Sequence, residues 1–209
     1  MTIHMQHLLE HYPELICAKD AIGKATDAIV NMHRNGGKLL LCGNGGSCAD
    51  SDHISGELLK GFLLKRPMPE ETRKLFSSDM KVFDRLDTFQ EGLCAVPLPA
   101  LSAALSAYAN DCEPDMVYAQ LVYAMGRQHD VFLGISTSGN SKNVVYAAET
   151  AKALGLVTIG MTGEKESRLS ELCDIVIRVP AGETYRIQEY HLPVYHCICA
   201  EVESALFSK

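Results

Sequence analysis

The stretch Ile135-Ser136-Thr137-Ser138-Gly139-Asn140-Ser141 restricts what this chain can fold into more than any other. It follows an apolar run, Val131-Phe132-Leu133-Gly134-Ile135, and precedes a helix-like segment over 143–154. In an α/β protein, a strand that feeds a hydroxyl- and Gly-rich turn and then a helix makes an anion site. The exposed N–H groups of the first helical turn, the nearby hydroxyls and the helix dipole all favour negative charge there. Ser141 alone would be a good N-cap. Ser136, Thr137, Ser138 and Ser141 place four hydroxyls within six residues, more than one cap needs, so the turn reads as a phosphate site. No Gly-Lys-Ser/Thr follows, which excludes a Walker loop.

A second unit of the same kind lies upstream. Lys38-Leu39-Leu40-Leu41-Cys42 reads as a short strand buried on both faces, as in a parallel sheet. Gly43-Asn44-Gly45-Gly46-Ser47 follows it, then a helix over about 48–61. Cys48 stands where a dinucleotide fingerprint needs a third small residue, and no clear acidic residue ends the next strand, so that reading is discounted. Two such loops suggest one site at the carboxyl ends of neighbouring strands.

The remaining pattern alternates. An amphipathic helix over 13–35 carries Ala18, Ile22, Ala25, Ile29 and Met32 before a Gly36-Gly37 stop. Strands are expected at 131–135, 156–161 and 174–179, with a weak one at 94–98 kept from the sheet centre by Pro97. Helical patterns cover 100–109, 115–125, 143–154, 167–172 and 184–207, with Asn110-Asp111 in a break. This order predicts an α/β fold, a three-layer α/β/α sandwich around a mainly parallel sheet, built as one domain over 1–209. An inserted segment at about 64–92 interrupts it. Leu75, Phe76, Met80, Phe83, Leu86 and Phe89 recur there at roughly helical spacing, which predicts a packed amphipathic helix, with a lid or subunit contact as the other reading.

A chain of 209 residues with 47% apolar content can bury a full core. Its net charge of −7 argues against nucleic-acid binding and against a basic membrane patch. A phosphate ligand must then be held by local dipoles and hydroxyls. No signal peptide opens the sequence and no apolar run would span a bilayer. The eight cysteines form no CxxC pair and several lie in apolar runs, as expected of reduced, buried thiols in a cytoplasmic protein.

The reactive residue types sit in two helical spacings. His53 and Glu57, at i and i+4, share one helix face beside the first loop. Gln188 and His196 lie on the last helix, about 80° apart around its axis, with His191 between them. Together His53, Glu57, Gln188 and His196 offer two imidazoles, a carboxylate and an amide oxygen, a plausible Zn²⁺ set. Taken singly, each also fits surface pairing or a satisfied core histidine. Spacing does not show that the two helices meet.

Cys42-Gly43-Asn44-Gly45-Gly46-Ser47, the loop from Gly134 to Ser141, and Arg186-Ile187-Gln188-Glu189-x-His191 resemble the sugar isomerase (SIS) domain family, with its flavodoxin-like fold. More narrowly they are similar to the bacterial phosphoheptose (sedoheptulose 7-phosphate) isomerases. The resemblance covers nearly the whole chain apart from about 64–92. It implies an aldose–ketose isomerase in which Ser136, Thr137, Ser138 and Ser141 hold the sugar phosphate. Asn44, Gly45, Gly46, Asn110 and Asp111 would line the sugar, Gln188 would contact substrate, and Glu57 and His196 would be the acid–base pair. It further implies one Zn²⁺ per subunit on His53, Glu57, Gln188 and His196, and a homotetramer with active sites built between subunits.

The implied reaction suits these residue types. Interconverting a 2-ketose and an aldose moves a proton between C2 and C1 through an enediol or enediolate. A carboxylate such as Glu57 can take and return the carbon-bound proton, and His196 or a metal can serve O1 and O2. If Glu57 and His196 both ligate zinc, neither is a free base, so either a ligand dissociates or the metal acts as Lewis acid. Three departures bear on the site: the 64–92 segment is longer than the family's loop and lies beside the sugar-lining positions, Tyr185 stands where some family members carry an acidic residue, and Pro193 removes a backbone donor between Gln188 and His196 and is expected to kink the helix. The alternatives are a non-catalytic phosphosugar- or protein-binding member of the family, and an isomerase for another phosphosugar. Retention of both Glu57 and His196 argues for an enzyme.

Overall fold

The computed structural model describes residues 1–208. Its helices are α1 (Ile3–His11), α2 (Lys19–Arg34), α3 (Gly46–Leu58), α4 (Glu70–Arg73), α5 (Ser102–Asp111), α6 (Val117–Met125), α7 (Lys142–Ala153), α8 (Arg168–Leu172) and α9 (Thr184–Phe207). The strands are β1 (Leu39–Gly43), β2 (Ala95–Pro97), β3 (Val131–Ile135), β4 (Val157–Thr162) and β5 (Ile175–Arg178). All strand pairs are parallel, in the order β2-β1-β3-β4-β5. Pro97 ends β2 at the sheet edge, where a missing donor costs no ladder bond.

Side chains alternate across the sheet and divide the interior into two cores. Leu39, Leu41, Val131, Leu133, Ile159 and Met161 face α1, α2, α3 and α9. Leu40, Cys42 and Phe132 face α6, α7 and α8, with α5 at the margin. Because β1 and β3 are neighbours while their connections leave in opposite directions, the strand order reverses between them, and the crevice at their carboxyl ends is where such sheets bind ligands. Both Gly/Ser loops open there.

The segment at 64–92 departs from the expected packed helix. It holds the single turn α4 and a short 3₁₀ turn at Phe83–Thr88, and of its apolar residues Leu86 is buried while Leu75, Met80 and Phe89 are exposed. Pro67 and Pro69 delay the first turn, and Ser77-Ser78-Asp79 breaks the periodicity before a longer helix can propagate. The neck of the excursion is closed by Glu91 N–H donating to Arg66 O (2.7 Å) and Leu93 N–H to Leu58 O (2.9 Å).

A buried ion pair anchors this neck. Glu203, on α9, accepts from the N–H groups of Phe62 (2.8 Å), Leu63 (2.7 Å) and Leu64 (2.9 Å) and from Arg66 Nε (2.7 Å). Arg66 also donates to Leu58 O (2.9 Å) and stacks on the Phe207 ring. Burial pushes the Glu203 carboxyl up, but these donors outweigh it and hold it below the usual glutamate value.

Two further features differ from expectation. Residues 13–18 form a 3₁₀ turn ahead of α2, and α1 precedes it, packed on α9 through Glu201, which accepts from Met5 N–H (3.0 Å). All eight cysteines are free thiols, but while Cys42, Cys173, Cys197 and Cys199 are buried, Cys17, Cys94 and Cys112 are exposed. No helix among the described residues is long and apolar enough to cross a membrane.

Candidate active site

The hydroxyl loop follows β3 directly. Ser141 occupies the N-cap position of α7, yet its side chain makes no cap hydrogen bond. Its Oγ lies 3.0 Å from Ser136 Oγ instead, and the Asn143 side chain accepts from Val144 N–H (3.0 Å). The two serine hydroxyls are therefore not consumed by starting the helix. Gly139, at φ +65°, lets the chain reverse, and a Cβ there would collide with the Ser167 hydroxyl. Ser138 is exposed and Thr137 half-buried. They line a 220 Å³ cavity with Asn140, Gly163 and Lys165.

The two loops are tied together. Asn44 Nδ2 donates to Asn143 Oδ1 (2.8 Å), and Asn143 Nδ2 donates back to Asn44 Oδ1 (3.0 Å). Tyr118 Oη donates to Gly43 O (2.9 Å) from the opposite layer. Gln188 lies over the first loop, and a Cβ at Gly46 would collide with its amide. Glycine at 46 thus leaves room for the side chain brought in by α9.

The helices α3 and α9 pack side by side on one face of the sheet, and three reactive side chains meet there. His53 Nε2 lies 3.2 Å from Glu57 Oε1 and 3.4 Å from His196 Nε2. Glu57 Oε2 also accepts from Lys60 Nζ at 3.3 Å. The Glu57 side chain is 17% exposed and His53 42%, so the cluster is open to solvent. Burial, then the neighbouring His53, push the His196 imidazole below its ordinary value, which keeps it neutral near pH 7. Arg66 Nη1 and Nη2 reach the carbonyls of Leu58 (2.9 Å) and Glu57 (3.4 Å), so the buried ion pair also fixes the helix end that carries Glu57.

Other expected residues are placed differently. Asn110 and Asp111 close α5 rather than lying beyond it; both are exposed and bonded to one another (2.8 Å). None of the described hydrogen bonds joins them to the two loops. Gln188 has no described contact with the His53–Glu57–His196 cluster. Pro193 lies inside α9, which is assigned as one helix. Tyr185 is exposed, and His191 is buried, its pKa pushed down to about 4 by desolvation. Asn143, Tyr118, Tyr195 and Asp50 were not legible in the spacing; Asn143 falls two residues after the loop, and the others carry no local signal.

No group of three or more His, Cys, Asp or Glu among the described residues is arranged so that it could hold a metal ion. The donor types nevertheless suit zinc. A tetrahedral site with ~2.05 Å ligand bonds has edges of ~3.3 Å, and the separations of His53 Nε2 from Glu57 Oε1 and from His196 Nε2, 3.2 and 3.4 Å, are of that size.

The SIS domain family model matches residues 5–94 and 80–163. A phosphoheptose isomerase of Crocosphaera subtropica is 40% identical over 211 aligned residues, covering 100% of this chain and 95% of that protein. One from Aneurinibacillus thermoaerophilus is 39% identical over 88% of this chain and 80% of its own. The chain belongs to the phosphoheptose isomerase group of the SIS family. A solved phosphoheptose isomerase of Neisseria gonorrhoeae superposes with a TM-score of 0.72 at 30% identity, covering 95% of this chain and 98% of that one. Family membership accounts for the fold and for the pairing of a hydroxyl loop with a Gly-rich loop at the switch point.

Proposed function

We propose that this protein is an aldose–ketose isomerase acting on a phosphorylated sugar, with sedoheptulose 7-phosphate as its substrate and glycero-manno-heptose 7-phosphate as its product. The observation that carries the reading is the convergence of Glu57 and His196 on His53, from helices α3 and α9 whose contact residues His53 and His196 lie 143 apart in sequence. Ser136 and Ser141, with Thr137 and Ser138, bind the phosphate. Asn44, Gly45, Gly46 and Gln188 line the sugar chain between that anchor and the reacting end, and Asn110 and Asp111 contribute from a neighbouring surface. Anchoring the phosphate far from C1 restrains the open chain and brings C1 and C2 to the reacting groups. Glu57 takes the proton from the carbon next to the carbonyl and, after exchange with solvent, delivers a proton to the other carbon. His196, neutral and therefore able both to give and to accept a proton, serves O1 and O2.

His53, Glu57 and His196 would hold Zn²⁺, with Gln188 as a fourth ligand; when bound, the ion would polarise the substrate oxygens as a Lewis acid, and the proton-transfer roles of Glu57 and His196 apply where they are not its ligands. His196→Ala should lower both bound zinc and rate, and full zinc content in that variant would refute the ligand role. The subunit works in a homotetramer in the cytoplasm, with no nucleic-acid or membrane partner. A panel of C5–C7 ketose phosphates in D₂O tests the function: aldose formation with deuterium incorporated at C2 is expected, greatest for the C7 sugar. Binding without turnover for every member would favour a phosphosugar-binding regulator instead.

A further inference from the structure

Behind His53 stands a pair of side chains that the acid–base scheme does not use. Tyr195, 2% exposed, precedes His196 on α9, and its hydroxyl lies 2.9 Å from His53 Nδ1. Its ring meets the His53 ring edge-on at 5.3 Å and the His196 ring at 5.0 Å. On the far side of the hydroxyl is Asp50, one turn before His53 on α3 and in polar contact with Tyr195. The Asp50 Oδ2 atom is buried and has no hydrogen-bond partner. Buried carboxylate oxygens are rarely left so.

A phenol has one hydrogen to donate, and a neutral imidazole has one as well. If Tyr195 donates to His53 Nδ1, the ring hydrogen must sit on Nε2, where it points at Glu57 Oε1 and occupies the atom that faces the cluster. If Tyr195 donates to Asp50, its oxygen accepts from Nδ1–H. A carboxylate is the stronger acceptor of the two. A hydroxyl hydrogen turned toward Asp50 would also serve the otherwise orphaned Oδ2.

We infer that Tyr195 and Asp50 are positioning residues for His53: the Tyr195 hydroxyl donates to Asp50 and accepts Nδ1–H, leaving the His53 Nε2 lone pair facing Glu57 and His196. Groups that hold the remote nitrogen of a histidine in this way set its tautomer and orientation. The inference rests on the isomerase reading only for what that lone pair is used for.

Tautomers are read directly in long-range ¹H–¹⁵N spectra of the full chain, ¹⁵N-labelled at histidine, metal-stripped, at about pH 8, with His53 assigned through His53→Gln. The wild type should carry its proton on Nδ1. Tyr195→Phe keeps both ring contacts and should move the proton to Nε2; Asp50→Asn, which keeps the hydroxyl, should shift it in the same direction. Both variants should lose ~10–100-fold in zinc affinity by chelator competition or in kcat, with KM little changed. A wild-type His53 protonated on Nε2, or an unchanged tautomer in Tyr195→Phe, overturns the inference even if rate is lost. A tautomer shift in a chain that isomerises no ketose phosphate would retain the positioning role and remove the isomerase instead.

Discussion

Glu57 and His196 differ in a way that assigns their roles. The carboxylate is the stronger hydrogen-bond acceptor, while the neutral imidazole can act in either direction at oxygen. Glu57→Gln keeps the side-chain volume and the contact with Lys60 but removes the base. It should lower kcat by ~10²–10⁴-fold with KM nearly unchanged, as measured by aldose formation; an unaltered kcat would remove Glu57 from the role. The serines act at the other end of the substrate. A hydrogen bond to a charged group contributes ~1.5–3 kcal/mol, so Ser136→Ala with Ser138→Ala should raise KM for a sugar phosphate at least ~10-fold and leave affinity for the unphosphorylated sugar alone. Equal losses for both sugars would place the phosphate elsewhere.

Among the elements, β3 and its loop were legible because strand, turn and helix signals fall in one continuous stretch of about a dozen residues. The sheet order and the meeting of α3 with α9 were not, since the partners lie 143 residues apart and neither helix pattern names the other. Helical spacing misled at 75–89, where apolar residues recur without a face to bury them. The Arg66–Glu203 pair left no trace in the spacing for a similar reason: a charged residue in an apolar helix pattern does not reveal its partner. Its consequences are testable. Removing one member of a buried pair strands the other and costs ~3–5 kcal/mol, so Glu203→Gln should lower the denaturant midpoint and loosen 59–66. The pH dependence follows from the depressed carboxyl. The stabilisation it gives is complete above the ordinary glutamate value of 4.5 and is lost as pH falls through the lower folded value. Glu203→Gln should lack this acid limb, so the stability gap to wild type should narrow on acidification; a constant gap would show that the carboxylate is not ionised in the fold.

At the scale of the whole molecule, the cluster faces outward, and that matters for the proposed chemistry. An enediolate in bulk water exchanges its protons and can lose the neighbouring C3 hydroxyl, so such a site needs cover. Around it the single subunit shows apolar surface rather than cover: Leu59, Leu63 and Leu192 are 52%, 58% and 41% exposed. Leu63 lines a 330 Å³ cavity with Phe62, His196 and the α1 residues His4, His7 and His11. Exposed apolar side chains beside a site are a feature of interfaces, and a second copy of the chain is the occupant expected here. The protein should elute with four times the 22.9 kDa chain mass in light-scattering chromatography. Leu63→Glu would bury a charge at that contact and should both dissociate the assembly and lower kcat, whereas the same substitution at Leu75, exposed on the excursion, should leave the site chemistry intact while reporting whether that segment joins the interface. A 22.9 kDa species with full activity would show that one subunit closes its own site.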